Sequence, residues 1–187
     1  MKSKSWRVLV MAVFVLTACE PDLDEQFDIY TIKKGEHYCN HRRPEMLQQR
    51  VLEFSARFDE SAMYTFSEPG FQDSKNKLMG FSDCNSLHHE NSARFAWQWY
   101  NDRLEIYAYC YVNGDRIESF LGTVGLNETA SYRLELTDKH YVFTFAGQQT
   151  EIQRGSTCEI GGYMMLWPFF GGQLPAPHDI TILIHRF

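Results

Sequence analysis

The sequence has no Cys-x-x-Cys pair, no glycine-rich loop that would cradle phosphate ahead of a helix, and no Ser-His-Asp signature. Dithiol redox chemistry, nucleotide-dependent transfer and triad hydrolysis therefore find no support. An apolar run long enough to cross a bilayer is also missing, since the unbroken stretch Val8 to Leu16 is too short for a spanning helix. Beyond that stretch there is no long helical repeat, no internal repeat and no low-complexity tract. Basic residues are few, with 18 Lys and Arg against 24 Asp and Glu and a formal net charge of −6. A surface of that sign repels phosphate backbones, so no nucleic acid partner is expected.

What the chain does have begins with Lys2, Lys4 and Arg7 ahead of the short apolar run, the build of a signal peptide over residues 1–18. Leu16-Thr17-Ala18-Cys19 resembles the lipobox of bacterial lipoproteins, in which the cysteine sulfur is acylated and the chain is cut ahead of it. The resemblance implies lipidation at Cys19 and a membrane partner reached through the lipid. It also implies the bacterial cell envelope as location, and Glu20 in place of Asp resembles the pattern of lipoproteins sent to the outer membrane. Removing residues 1–18 takes away three basic and no acidic side chains, which leaves 15 against 24 and a net charge of −9. Residues 19–27 read as a lipidated tether, because Glu20 to Glu25 is too charged to fold. Residues 28–187 are long enough for one domain with an adequate core.

Apart from Cys19 there are four cysteines, Cys39, Cys84, Cys110 and Cys158. An oxidising envelope permits disulfides, and four cysteines allow three complete pairings that sequence alone leaves open. Cys110 falls in a strand pattern on the side of Ile106, Ala108 and Val112, where a thiol packs as a small hydrophobe. That leaves an odd cysteine among the other three.

From Val51 onward the hydrophobic period is two and turn residues recur at short intervals, which predicts an all-β antiparallel sandwich or barrel. Pro44 to Arg50, with proline first, is expected to form one helical turn or two. Asn101-Asp102 and Asn113-Gly114 each stand between alternating runs and predict two-residue hairpin loops. Those loops set the register. Phe95, Trp97 and Trp99 then face Ala108, Ile106 and Leu104 on the core side, and Cys110 faces Ile117. The other side carries rows of Arg94, Tyr109 and Glu118, of Ser92, Tyr111 and Arg116, and of Ala96, Tyr107 and Phe120, with Gln98 beside Glu105. A second hairpin turning at Asp138-Lys139 sets Tyr132, Leu134 and Leu136 against Phe145, Phe143 and Tyr141. Ile180, Ile182 and Ile184 form the buried side of a last strand.

Phe58 to Ala62, Asn76 to Asp83, His89 to Trp97, Phe169 to Gly172 and Ala176 to Ile180 together resemble uncharacterised Bacteroidota-type envelope lipoproteins with a concanavalin-like jelly-roll domain. The resemblance implies a β-sandwich of jelly-roll type and, by analogy of fold, contact with glycans. Jelly-roll polysaccharide lyases set arginine, glutamine, histidine and tyrosine on a concave sheet, a set that Arg94, Gln98, Tyr107 and Tyr109 could mimic. Their motifs are not found in this chain, so no catalytic residue is carried over.

The candidate site is the side of the meander that bears Arg94, Gln98, Tyr107, Tyr109, Tyr111 and Glu118. Aromatic rings stack on the apolar faces of sugars, and an arginine fork binds uronate or sialate carboxylates. The plain alternative is the solvent side of an antiparallel sheet with ordinary cross-strand pairs. His88 and His89 precede the Arg94 strand and are expected at the rim of the face, where a histidine could move protons. Glu105 and Glu118 are a conceivable hydrolase pair, which is a matter of their separation. His37, Cys39 and His41 alternate as zinc ligands would, but no fourth ligand is indicated, and Arg42 and Arg43 oppose a cation. Asp83, Asn85, Ser86 and Asp179 could offer oxygens to a structural calcium, and turn chemistry explains them equally well. No cofactor or metal is expected. The function expected is non-catalytic carbohydrate binding, with a polysaccharide lyase or glycoside hydrolase on the same face as one alternative. Another is an accessory role holding a second envelope protein through the Trp167 to Phe170 region.

Overall fold

The computed structural model describes residues 27–47, 49–155, 158 and 161–187. The expected signal peptide, Cys19 and most of the tether lie outside the described residues. Eleven strands follow in chain order: β1 Asp28–Ile32, β2 Val51–Phe58, β3 Asn76–Ser82, β4 Ser92–Tyr100, β5 Arg103–Val112, β6 Asp115–Val124, β7 Ala130–Leu136, β8 His140–Phe145, β9 Gln148–Gln153, β10 Met165–Leu166 and β11 Ile180–Arg186. They form two antiparallel sheets, one of order β1-β11-β2-β7-β8-β9 and one of order β10-β3-β4-β5-β6. The sandwich predicted from the two-residue period is therefore present.

The turn residues account for the register of the second sheet. Asn101, Asp102, Asn113 and Gly114 all have positive φ, at 51°, 56°, 53° and 90°, as a two-residue turn matched to strand twist requires. Arg94 stands opposite Tyr109 and Tyr109 opposite Glu118, while Ser92, Tyr111 and Arg116 make the next row and Ala96, Tyr107 and Phe120 the third. On the inner side Phe95, Trp97, Ile106, Ala108 and Cys110 are fully buried. The β7–β8 hairpin pairs Tyr132, Leu134 and Leu136 with Phe145, Phe143 and Tyr141. Between the sheets Phe54 and Phe143 both meet Phe95 edge-on, at 5.8 and 5.1 Å. Ile180, Ile182 and Ile184 close the core.

One expectation is corrected. The described part of Pro44 to Arg50 is not helical, because Glu45 and Leu47 bond through their backbones to Met165 and Tyr163, and Met46 bridges Met164. Pairing with a distant segment overrides local helix propensity there. The α-helix among the described residues is a single turn, α1 Pro69–Gln72, which again carries proline at its start.

Cys84 and Cys158 form a disulfide with Cα atoms 5.9 Å apart. Cys39 is the odd cysteine and Cys110 packs in the core, both free and buried. Beside the disulfide Arg154 clasps Asp83 with two bonds of 2.9 Å, and the Tyr141 hydroxyl donates to the same carboxylate at 2.6 Å. This buried cluster ties the end of β3 to β8 and the residue after β9. The Asp83 carboxylate, an oxygen offered to calcium on sequence grounds, is thereby occupied. His37, Cys39 and His41 do not converge: His37 stacks on Phe169, Cys39 is buried, and His41 meets Tyr30 edge-on.

Candidate functional site

The outer side of β3, β4, β5 and β6 is partly roofed by two segments from elsewhere in the chain. One is the strap Trp167 to Gly172 that follows β10, and the other is the loop bearing Tyr38 and Arg42. Between them and the sheet is a cleft of about 490 Å³. Its floor is Lys77, Arg94 and Tyr109, one end carries Tyr111, Arg116, His88 and His89, and the wall is Tyr38, Arg42 and Phe169.

The strap is held in place by the sheet beneath it. Lys77 and Phe169 exchange backbone bonds of 2.7 and 3.0 Å, and Asn76 accepts from the Gly171 amide at 2.6 Å. Arg94 Nη2 donates to the Trp167 carbonyl at 2.6 Å, and Lys77 Nζ donates to the carbonyls of Lys75 and Gly171 at 2.8 and 3.0 Å. Gly80 makes the close approach of β3 to β4 possible, since a Cβ there would overlap the Ala93 carbonyl oxygen and lie 2.5 Å from Arg94 Cα. Within the strap Trp167 and Phe170 are buried, so the segment offered as a protein-docking surface turns most of its aromatic area inward.

The electrostatics of the floor are unusual. Arg94 is 8% exposed, its Nε is buried with no hydrogen-bond partner, and burial pushes its pKa down to about 10. Lys77 is pushed down to about 8 by burial and by the neighbouring Arg94 charge. Among the described residues neither cation makes an ion pair, and none of the cleft's described lining residues is a carboxylate. Lys77 Nζ instead sits 4.9 Å from the Tyr109 ring centre, and the Arg42 guanidinium lies 4.0 Å above Tyr38. Arg116 reaches Glu118 at 3.1 Å. Burial, together with a hydrogen bond to Tyr111, raises the Tyr109 hydroxyl above the usual range, so it stays protonated. Burial, then His89 and Arg94, lowers the His88 imidazole, which favours its neutral form.

Of the residues singled out by sequence, Arg94, Tyr109, Tyr111, His88 and His89 line the cleft. Gln98 and Tyr107 share the sheet face but form a separate closed group. Gln98 and Tyr107 both donate to Glu105 at 2.7 Å, and Arg103 donates to its other oxygen at 2.8 Å. Burial alone would raise the Glu105 carboxyl, but these hydrogen bonds outweigh it and hold it low. Glu118 is engaged by Arg116 and stands 3.9 Å from Lys75, so neither carboxylate of the conceivable hydrolase pair lines the cleft. Sequence reasoning missed Lys77, Tyr38, Arg42 and Phe169. Lys75, just ahead of β3, and Lys77 within it, at alternate positions, were a usable sign of an outward cationic row. A second depression, about 550 Å³, opens beside β7 and β8, but its Arg133 is neutralised by Glu53 and Glu135.

No protein-family model matches this chain, and no curated protein matches it in sequence. Solved structures do match in shape. The chain is similar to an alginate lyase, AlyC3, with a TM-score of 0.61 and 9% identity over 89% of this chain and 75% of that one. It is similar to the laminarinase catalytic domain of Thermotoga maritima MSB8, with a TM-score of 0.56 and 10% identity over 86% and 78%. The family 18 polysaccharide lyase aly-SJ02 matches with a TM-score of 0.54 and 10% identity over 90% and 91%. At these identities the likeness establishes the jelly-roll fold and leaves activity to the site itself.

Proposed function

We propose that the protein binds a segment of carboxylated polysaccharide in this cleft, from a position anchored at the bacterial envelope. The observation that carries the reading is the pair of neighbouring cations, Arg94 and Lys77, on the floor with no carboxylate partner among the described residues. Holding desolvated charge without a counter-ion is costly, and an anionic ligand would supply what is missing. The whole chain is acidic, so a local concentration of Arg42, Lys77, Arg94 and Arg116 is not a by-product of composition. Tyr38 and Phe169 supply aromatic surface beside these charges, and an aromatic face suits a sugar ring. One neighbour in shape is an alginate lyase, and another is a family 18 polysaccharide lyase.

Among catalytic readings, elimination is favoured over hydrolysis by one observation. The described cleft residues include proton-carrying groups, His88, Tyr109 and Tyr111, but no pair of carboxylates. That set suits β-elimination at a uronate. A base removes the proton next to the carboxylate, the cations hold the charge that develops, the C–O bond to the neighbouring sugar breaks, and an acid protonates the departing oxygen. Neutral His88 fits the base, and Tyr109, held protonated, fits the acid.

Calorimetric titration with oligomers of mannuronate and of a neutral glucan of equal length tests the first reading. Binding of the charged oligomer only, abolished in a Lys77→Met/Arg116→Met variant of unchanged fold, is expected. Equal binding of both oligomers would remove the anionic reading. Ultraviolet absorbance of unsaturated uronyl ends, followed over time, separates a lyase from a binder.

A further inference from the structure

We infer that the outer face of the β1–β11–β2 region is the surface that lies against a lipid bilayer, which leaves the cleft turned away from it. Ile29 is 53% exposed and Phe187 76% exposed, and half-buried Phe27 and Leu183 lie between them. The strip is continuous. Ile29 stands opposite Leu183, and Leu183 stands opposite Arg57. The Phe27 ring is 6.0 Å from His185, whose ring is 4.9 Å from Phe187. Arg57 lies 5.4 Å from the Phe27 ring and adds a cation suited to anionic headgroups. On β1, β11 and β2 the residues between these positions point into the core, so the strip is the outward side of its sheet.

The place where the chain enters the domain argues for a lipid occupant. Phe27 belongs to the strip, and Cys19 stands eight residues before it. Eight residues of chain span at most about 28 Å, so a lipid on Cys19 keeps this strip within one short tether of the membrane. The four apolar side chains are too few to hold an acidic protein on a bilayer unaided, and their role with an anchor present is to choose which side faces down. The cleft occupies the outer side of the other sheet. Apposition of the strip therefore presents the cleft to polymers arriving from outside. The inference rests on the anchored position in the proposed function, through lipidation of Cys19, and not on the ligand of the cleft, so failure of the orientation and failure of ligand binding are told apart.

The test uses the full chain purified from bacterial membranes and reconstituted in phosphatidylethanolamine–phosphatidylglycerol vesicles. Ile29→Cys, Phe187→Cys and, as a control of similar exposure on the cleft sheet, Phe120→Cys each receive an environment-sensitive fluorophore. Cys39 and Cys110 are buried and Cys84 is bonded to Cys158, so the introduced thiols take the label. Quenching by a nitroxide carried on the lipid is expected to be severalfold stronger at positions 29 and 187 than at 120. Equal quenching at all three, stronger quenching at 120, or an N-terminal peptide whose mass shows no lipid on Cys19 would each overturn the inference.

Discussion

Replacing Arg94 with methionine should make the protein more stable and less able to bind. The side chain is held charged in a site that lowers its pKa from 12.5 to about 10, a penalty of ~3 kcal/mol for keeping it protonated in the folded state. Against this stands its bond to the Trp167 carbonyl at 2.6 Å, a charged hydrogen bond worth roughly 2 kcal/mol. Methionine fills a similar volume, removes both contributions, and should leave a net gain of about 1 kcal/mol. In a domain of this size that gain raises the Tm by roughly 2–4 °C. Truncating one partner of a desolvated ion pair with ligand should meanwhile cost at least ~2 kcal/mol, a loss of about 30-fold in affinity. Thermal melts with and without oligomannuronate read both quantities on one sample. A variant that melts several degrees below the parent, yet keeps full ligand-induced stabilisation, would show that Arg94 serves the strap alone and would refute the reasoning.

Three further outcomes are expected. Lys77 has a free-protein pKa of about 8, and a bound carboxylate raises it, so the complex holds more protons than the free protein just above that pH. Affinity should be greatest below about pH 8 and fall as pH rises through the window up to the bound value, with proton uptake on binding; calorimetry in two buffers of different ionisation enthalpy checks this, and a flat profile would contradict it. Cys84→Ser/Cys158→Ser opens a link spanning a sequence separation of 74, which by loop entropy should cost about 4.5 kcal/mol and lower the Tm by roughly 10 to 15 °C. An unchanged melt would mean that the Asp83–Arg154 cluster holds the same join without the bond. Gly80→Ala forces a Cβ into the Ala93 carbonyl and should destabilise by about 1–3 kcal/mol, read as a lower denaturation midpoint with unchanged slope.

Lys77 and Arg94 also show how the two sheets divide their tasks. The inner side of β4 and β5 is aromatic and fully buried, so the strands are fixed from below. That fixed base is what lets two like charges be held side by side against their mutual repulsion, because the cost is met by packing elsewhere in the domain. The strap is bound to β3 through backbone as well as side chains. A ligand of the proposed kind would therefore meet a preformed cleft and have little to reorganise on entry.

The register of most of the meander is legible in the sequence, and with it which residues share a face. Asn101-Asp102 and Asn113-Gly114 accept positive φ at both turn positions, and a period of two carries that choice along β4 and β5 and along β6 as far as Phe120, beyond which a bulge shifts the β5–β6 register by one. The core sides of β7, β8 and β11 are legible too, since alternation is a local property. Tertiary structure alone decided what covers the face. Tyr38, Arg42 and Phe169 reach it through pairings such as Tyr38 with Phe169 and Lys77 with Phe169, contacts between segments about 90 or more residues apart that no local pattern encodes. The same holds for the union of Cys84 with Cys158 and for the straightening of Pro44 to Leu47 against β10. Alternation says which way a side chain points, but a cleft exists only where distant segments arrive above it, and that arrival is settled by the packing of the whole sandwich.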